Sequence, residues 1–72
     1  MKSYIKEGEK MREWLIAFRK NKGLTQTQVA REANITQQHY SLIEIGKRKV
    51  PVWTAKKIAA ALGFDWQRFY ED

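Results

Sequence analysis

Four glycines, Gly8, Gly23, Gly46 and Gly63, cut this chain into segments whose apolar residues recur at helical spacing. No alternation of the kind a strand needs persists beyond a few residues, and there is no repeat or low-complexity stretch. The 72 residues leave room for one domain with a single core. A domain of this size buries roughly 60% of the surface its unfolded chain exposes, which weighs against a deep substrate pocket. The expected fold is all-α, a compact bundle of five short helices, with a short tail over residues 1–8 and one domain over residues 9–72.

The first helix is predicted from Glu9 to Asn21, with Met11, Trp14, Leu15 and Phe18 on one face and Lys20 and Lys22 near its negative pole. Gly23 suits the left-handed residue that closes a helix. A second helix runs from Thr25 to Ala33. Thr25 is a good N-cap, and Gln28 three residues on completes a capping box. Val29, Ala30 and Ala33 form its inner face. In the turn Ala33 to Thr36, Asn34 takes the left-handed conformation better than most non-glycines. The third helix begins at the cap Thr36 and ends near Ile45. Tyr40 and Ile43 point inward, and Gln37, Gln38, His39, Ser41 and Leu42 occupy the other face. Pro51 sits at the first turn of a fourth helix, which buries Ala55, Ile58, Ala59 and Leu62 and closes at Gly63. Asp65 caps a last short helix with Trp66, Phe69 and Tyr70 on its apolar side. The aromatics lie toward the two ends of the chain, so the first and last helices are expected to pack together. Trp14 and Trp66 read as core, Trp53 as half-buried, and Ile16 as an isolated exposed apolar residue or part of a protein contact.

The net charge is +6, and its placement matters more than its size. From Arg19 to Lys57 nine basic residues face two acidic ones, a local +7, whereas Ile58 to Asp72 carries one basic residue against three acidic. A basic excess in the middle of the chain suggests a polyanion partner, nucleic acid before membrane. There is no cysteine, which excludes disulfides and zinc–thiolate sites and fits a cytoplasmic setting. No run of about 18 apolar residues could span a membrane, and Met1 to Lys10 is too polar for a signal peptide. His39 is the single histidine, with no evident partner for metal binding or nucleophilic catalysis. No enzymatic activity, metal, cofactor or small-molecule ligand is expected.

The informative stretch is Gln26 to Ile45. Two short helices are joined by a turn of a few residues, and Ala30, mid-way along the first, is small enough for the second to cross closely. Val29, Ala33, Ile35, Tyr40 and Ile43 would hold the pair at a steep angle. The second helix then offers its N-terminal, outward side chains to a DNA major groove. Together with Arg19 to Gln26, Val29-Ala30, Ile43 to Arg48 and Lys57 to Gly63, in this order and spacing, the stretch resembles the Cro/C1-type (Xre) helix-turn-helix family of lambda-repressor-like fold. The resemblance runs from about Met11 to Tyr70.

That resemblance implies roles for individual residues. Arg19, late in the first helix, would pair with Glu44, which ends the third. Gln26, with Thr25 and Thr36, would contact DNA phosphates, as would Lys47, Arg48 and Lys49 in the cationic loop before the fourth helix. Gln37 and Gln38 would read base edges, since a glutamine amide can bond adenine in a bidentate fashion. Ser41 and Leu42 share that outward face, Leu42 as an apolar partner for a thymine methyl. His39 reads equally as a surface residue or a groove-edge contact. Tyr40 stands where the family carries a β-branched aliphatic, so it would tilt the third helix or reach solvent with its hydroxyl.

The function implied is sequence-specific binding of double-stranded DNA by a transcription regulator, a repressor acting as a homodimer on a palindromic operator. Phe64, Trp66, Phe69 and Tyr70 exceed what one short helix can bury, which points to a dimer surface between the fourth and fifth helices. A second reading, of another class, is a protein-interaction module such as an antitoxin or antirepressor, served by the aromatic and acidic stretch Trp66 to Asp72.

Overall fold

The computed structural model describes residues 11–71, so the expected tail and the predicted start of the first helix at Glu9 lie outside the described residues. The described chain is all-helical: α1 (Glu13–Asn21), α2 (Gln26–Ala33), α3 (Gln37–Glu44), α4 (Val52–Leu62) and a terminal 3₁₀ helix (Trp66–Tyr70). Four α-helices therefore stand where five helices were expected. The fifth segment spans five residues, and its bonds run from Arg68 N–H to the Asp65 carbonyl and from Glu71 N–H to the Arg68 carbonyl. A segment so short gains little from the wider α-turn, and 3₁₀ winding suits a connector. The Asp65 side chain caps it, accepting from Gln67 N–H at 3.0 Å.

α1 starts at Glu13, and neither Met11 nor Arg12 is helical. The cause is tertiary: the Arg12 amide donates to the Glu44 carbonyl at 2.7 Å instead of joining a helical turn. Met11 consequently leaves the apolar face it was assigned to and is exposed. Pro51 is the residue before α4, with extended ψ of 154°, rather than part of its first turn.

The four α-helices close alike. Leu24, Ile35, Lys47 and Phe64 donate to the carbonyls five positions back, at 3.1, 2.9, 3.0 and 3.1 Å. That closure requires one left-handed residue just past each helix, which is Gly23, Asn34, Gly46 or Gly63. Asn34, at φ 62°, is the non-glycine among them, held in a conformation that asparagine visits more readily than most side chains. It sets the turn between α2 and α3.

α2 packs on both α3 and α4, α1 meets α3, and the 3₁₀ helix lies on α4. The core holds Leu15, Val29, Ala30, Ala33, Tyr40, Ile43, Val50, Ala55, Ile58, Leu62 and Phe69. Each large aliphatic in it contributes about 1.5–3 kcal/mol by leaving water. The first and last segments meet through aromatic rings: Trp14 stands edge-on to Phe64 and Phe69, both at 5.2 Å, and Phe18 lies 5.0 Å from Phe64.

Burial changes four readings. Phe64, Trp66 and Phe69 are absorbed by the core and α1, so they supply no aromatic excess, and Tyr70 alone of that group is exposed. Trp53, in the first turn of α4, is 58% exposed, not half-buried. Ile16 is half-buried. Tyr40 is fully buried, so its hydroxyl does not reach solvent.

Candidate nucleic-acid interface

α3 is the element whose placement matters, and the sequence caps both it and α2 before it. At its N-terminus the Thr36 hydroxyl accepts from His39 N–H at 3.0 Å. At the start of α2, Thr25 accepts from Gln28 N–H at 3.1 Å while Gln28 Oε1 accepts from Thr25 N–H at 2.8 Å, a reciprocal capping box. Both threonine oxygens are thus committed as acceptors. A hydroxyl also has one hydrogen to donate, and a phosphate oxygen only accepts, so capping and backbone contact are compatible for Thr25 and Thr36.

The pairing of α2 with α3 rests on Val29, Ala30 and Ala33 below and on Tyr40 and Ile43 above, all buried. Gln37 and Gln38 then stand exposed in the first turn of α3, with His39, Ser41 and Leu42 partly exposed further along. Lys47, Arg48 and Lys49 are exposed at the opposite end of α3, about 12 Å away along an eight-residue helix.

Beneath this face runs a chain of polar side chains. Arg19 Nε donates to Glu44 Oε2 at 2.6 Å, its Nη2 lies 3.4 Å from Glu44 Oε1, and its Nη1 donates to the Leu24 carbonyl at 3.1 Å. Glu44 is 2% exposed, and the Arg19 side chain 13%. Gln26 Nε2 donates to Glu44 Oε1 at 2.8 Å, and Gln37 Nε2 donates to Gln26 Oε1 at 2.8 Å.

The carboxylate dictates the direction of every bond in that chain. An ionised Glu44 only accepts, so Gln26 must turn its NH₂ toward it. Gln26 Oε1 is then left facing α3, and Gln37 must present its own NH₂ there. Gln37 retains one N–H and its carbonyl oxygen, the donor and acceptor an adenine edge requires. Gln26, expected as a phosphate contact, is therefore first a relay: one of its two amide hydrogens is committed to Glu44, and the second remains for other work.

Electrostatics reinforce the arrangement. The hydrogen bond that Arg19 donates to Glu44 raises the pKa of the Arg19 guanidinium above its ordinary value, against a smaller lowering by burial. Burial, aided by the nearby Glu44 carboxylate, pushes the Tyr40 phenol well above the tyrosine range. Among the described residues the Tyr40 hydroxyl has no hydrogen-bond partner.

Sequence reasoning did not single out Arg12. Its guanidinium donates from Nη1 to the Ile43 carbonyl at 2.7 Å, and it lies over the Phe69 ring at 5.6 Å. No periodic signal marks this residue, which precedes the helix. The cation–π contacts of Lys57 with Trp53 at 4.6 Å, Lys56 with Trp66 at 5.2 Å and Arg68 with Trp14 at 4.9 Å were also not anticipated. A Lys and an aromatic four residues apart on α4 gave the available hint for the first of them.

Two capped helices crossing over a small residue, with exposed amides at the start of the second, define a helix-turn-helix protein. The helix-turn-helix family model matches residues 15–69, and the chain belongs to that family, in its Cro/C1 (Xre) group. The chain is similar to the uncharacterized HTH-type transcriptional regulator YqaF of Bacillus subtilis (strain 168), at 50% identity over 62 residues. That match covers 86% of this chain and 82% of the relative. Among the described residues no helix is long and apolar enough to cross a membrane.

Proposed function

We propose that this protein regulates transcription by binding a specific double-stranded DNA site, as a cytoplasmic repressor that occupies a palindromic operator through the major groove. The observation that carries the reading is the Arg19–Glu44–Gln26–Gln37 chain, which holds an exposed amide at the start of α3 with its donor and acceptor already assigned. Gln37 and Gln38 read base edges, with Ser41, His39 and Leu42 behind them. Thr25, Gln26, Thr36, Lys47, Arg48 and Lys49 hold the phosphates. Repression follows from occupancy that blocks polymerase.

One α3 touches only a few base pairs, and each wrong base costs roughly 1–3 kcal/mol, too little to single out one site in a genome. Two copies on one palindrome double the contacts. Val52, Trp53 and Tyr70, exposed on or beside α4, supply apolar surface for that pairing. The same surface also favours the second reading, an antitoxin- or antirepressor-like module that holds another protein.

Selection of bound sequences from random double-stranded DNA tests the proposal. The expected product is a palindrome with adenine at a fixed position in each half-site, bound with strong salt dependence. A pool with no enriched sequence, together with a stoichiometric protein complex, would replace it with the second reading.

A further inference from the structure

We infer that Arg12 is a positioning residue for DNA recognition, a clamp that ties the C-terminal end of α3 to the cationic loop after it. The inference rests on the reading of α3 as the base-reading helix.

The last carbonyls of any helix lack intrahelical donors and carry partial negative charge. α3 has no basic residue in its last turn to meet them. The Ser41, Ile43 and Leu42 carbonyls accept from the Ile45, Gly46 and Lys47 amides, and Arg12 adds from outside the helix a donor to the Glu44 carbonyl and a positive charge at the Ile43 carbonyl. Its backbone amide donates to the Glu44 carbonyl at 2.7 Å, and its Nη1 donates to the Ile43 carbonyl at 2.7 Å. The same Nη1 approaches the Arg48 carbonyl at 3.5 Å, a long contact that reaches into the Lys47–Lys49 segment. The guanidinium carbon also lies over the Phe69 ring, 5.6 Å from its centroid.

One side chain thus touches the end of the reading helix, the loop of basic residues and the closing 3₁₀ helix. Gln37 enters the groove at one end of α3 while Lys47 to Lys49 meet phosphates at the other, so the two sets of contacts bind one duplex together only if the loop keeps its angle to α3. Arginine suits the task because one nitrogen, Nη1, reaches both carbonyls while the guanidinium carbon lies over the Phe69 ring, whereas a lysine ammonium acts as a point charge.

The test uses the full chain with two variants, Arg12→Lys and Arg12→Met, each checked for folding by circular dichroism. Binding to the selected operator and to random duplex is measured across a salt series. Arg12→Lys is expected to lower the ratio of specific to non-specific affinity about tenfold, the scale of one charge-assisted hydrogen bond, with an unchanged salt slope. Arg12→Met is expected to lower that ratio at least as far, again without altering the slope. Hydrogen exchange without DNA supplies a second measurement. In both variants the amides of Ile45, Gly46 and Lys47 should exchange faster, with those of α2 unchanged.

Wild-type selectivity in Arg12→Lys would overturn the inference. So would a slope lower by about 1 in Arg12→Met alone, which would make Arg12 a plain phosphate contact. Unchanged exchange at residues 45–47 would overturn the clamp whatever the DNA results. Should the wild-type protein itself show no sequence preference while exchange responds as expected, the base-reading role of α3 fails. Arg12 then stays the brace of that helix end but positions no reader, and the inference falls with the function rather than with the clamp.

Discussion

Gln37 Nε2 donates to Gln26 Oε1 at 2.8 Å, and the direction of that bond is inherited from the buried Glu44 carboxylate at the other end of Gln26. An exposed amide at a helix start is ordinarily free to rotate. Here it is turned before any DNA arrives. Gln37→Ala should cost roughly 1–3 kcal/mol of specific binding and leave binding to random duplex almost untouched. Gln26→Glu carries the sharper expectation. It sets a second carboxylate against Glu44, which drives the residue 26 side chain away from Gln37 and toward the phosphates, so selectivity should fall on top of a uniform loss although Gln37 is intact. Competition titrations with operator and random duplex measure both. Equal loss on the two DNAs in Gln37→Ala would remove Gln37 from base reading.

Arg19 and Glu44 form a largely buried ion pair, and breaking such a pair strands a charge, at a cost of about 3–5 kcal/mol. Arg19→Met and Glu44→Gln should each lower the unfolding free energy, and the double variant should lose less than the sum of the two. Chemical denaturation of the four proteins in the cycle should give a coupling of about 0.5–3 kcal/mol. A coupling of zero would mean that the two side chains act independently.

Tyr40 buries a hydroxyl without a hydrogen-bond partner among the described residues. A stranded polar atom costs about 1–3 kcal/mol, so Tyr40→Phe should raise Tm, provided the ring keeps its packing. The pH dependence has a definite sign. Burial raises the phenol's pKa in the folded protein above its unfolded value, so the folded state holds its proton where the unfolded state has lost it. The stability tied to that proton is complete below the unfolded pKa, near 10, and is lost as pH rises beyond it. The advantage of Tyr40→Phe over wild type should therefore grow above about pH 10. A constant difference between pH 8 and pH 11 would contradict this account.

Lys47, Arg48 and Lys49 are exposed together after α3. Neutralising one true phosphate contact should lower the salt slope of binding by about 1 and weaken all sequences nearly alike. A slope unchanged after all three are replaced by glutamine would take the loop out of the interface.

Trp53 is exposed at the start of α4 with Lys57 stacked on it. Two copies on one palindrome would place their α3 helices about 34–36 Å apart, one turn of DNA. Trp53→Glu should abolish cooperative occupancy of the second half-site while single half-site affinity is retained. Scattering at saturation should show two proteins per duplex for wild type, and one per duplex would exclude the dimer.

The amino-acid sequence determined what neighbouring residues settle between themselves. The caps Thr25, Thr36 and Asp65, the left-handed closures at Gly23, Asn34 and Gly63, and the helical stripes that bury Leu15, Val29, Ile43 and Ile58 are all local, and they were legible without coordinates. The spacing of Arg19, Gln26 and Glu44 was legible too, through the family it resembles. What lay between residues distant in sequence was decided only by packing. Arg12 leaves helical geometry because its amide finds Glu44, 32 positions away, a trade no propensity could reveal. Tyr40 loses its route to solvent because the neighbouring helices cover it. Phe64 and Phe69 looked like surplus surface until Trp14 closed over them. That the buried Glu44 carboxylate takes one of the Gln26 amide hydrogens, and thereby orients Gln37, was likewise visible only in three dimensions. A single side chain's chemistry is written in the chain, but which acceptor it meets first is a property of three dimensions.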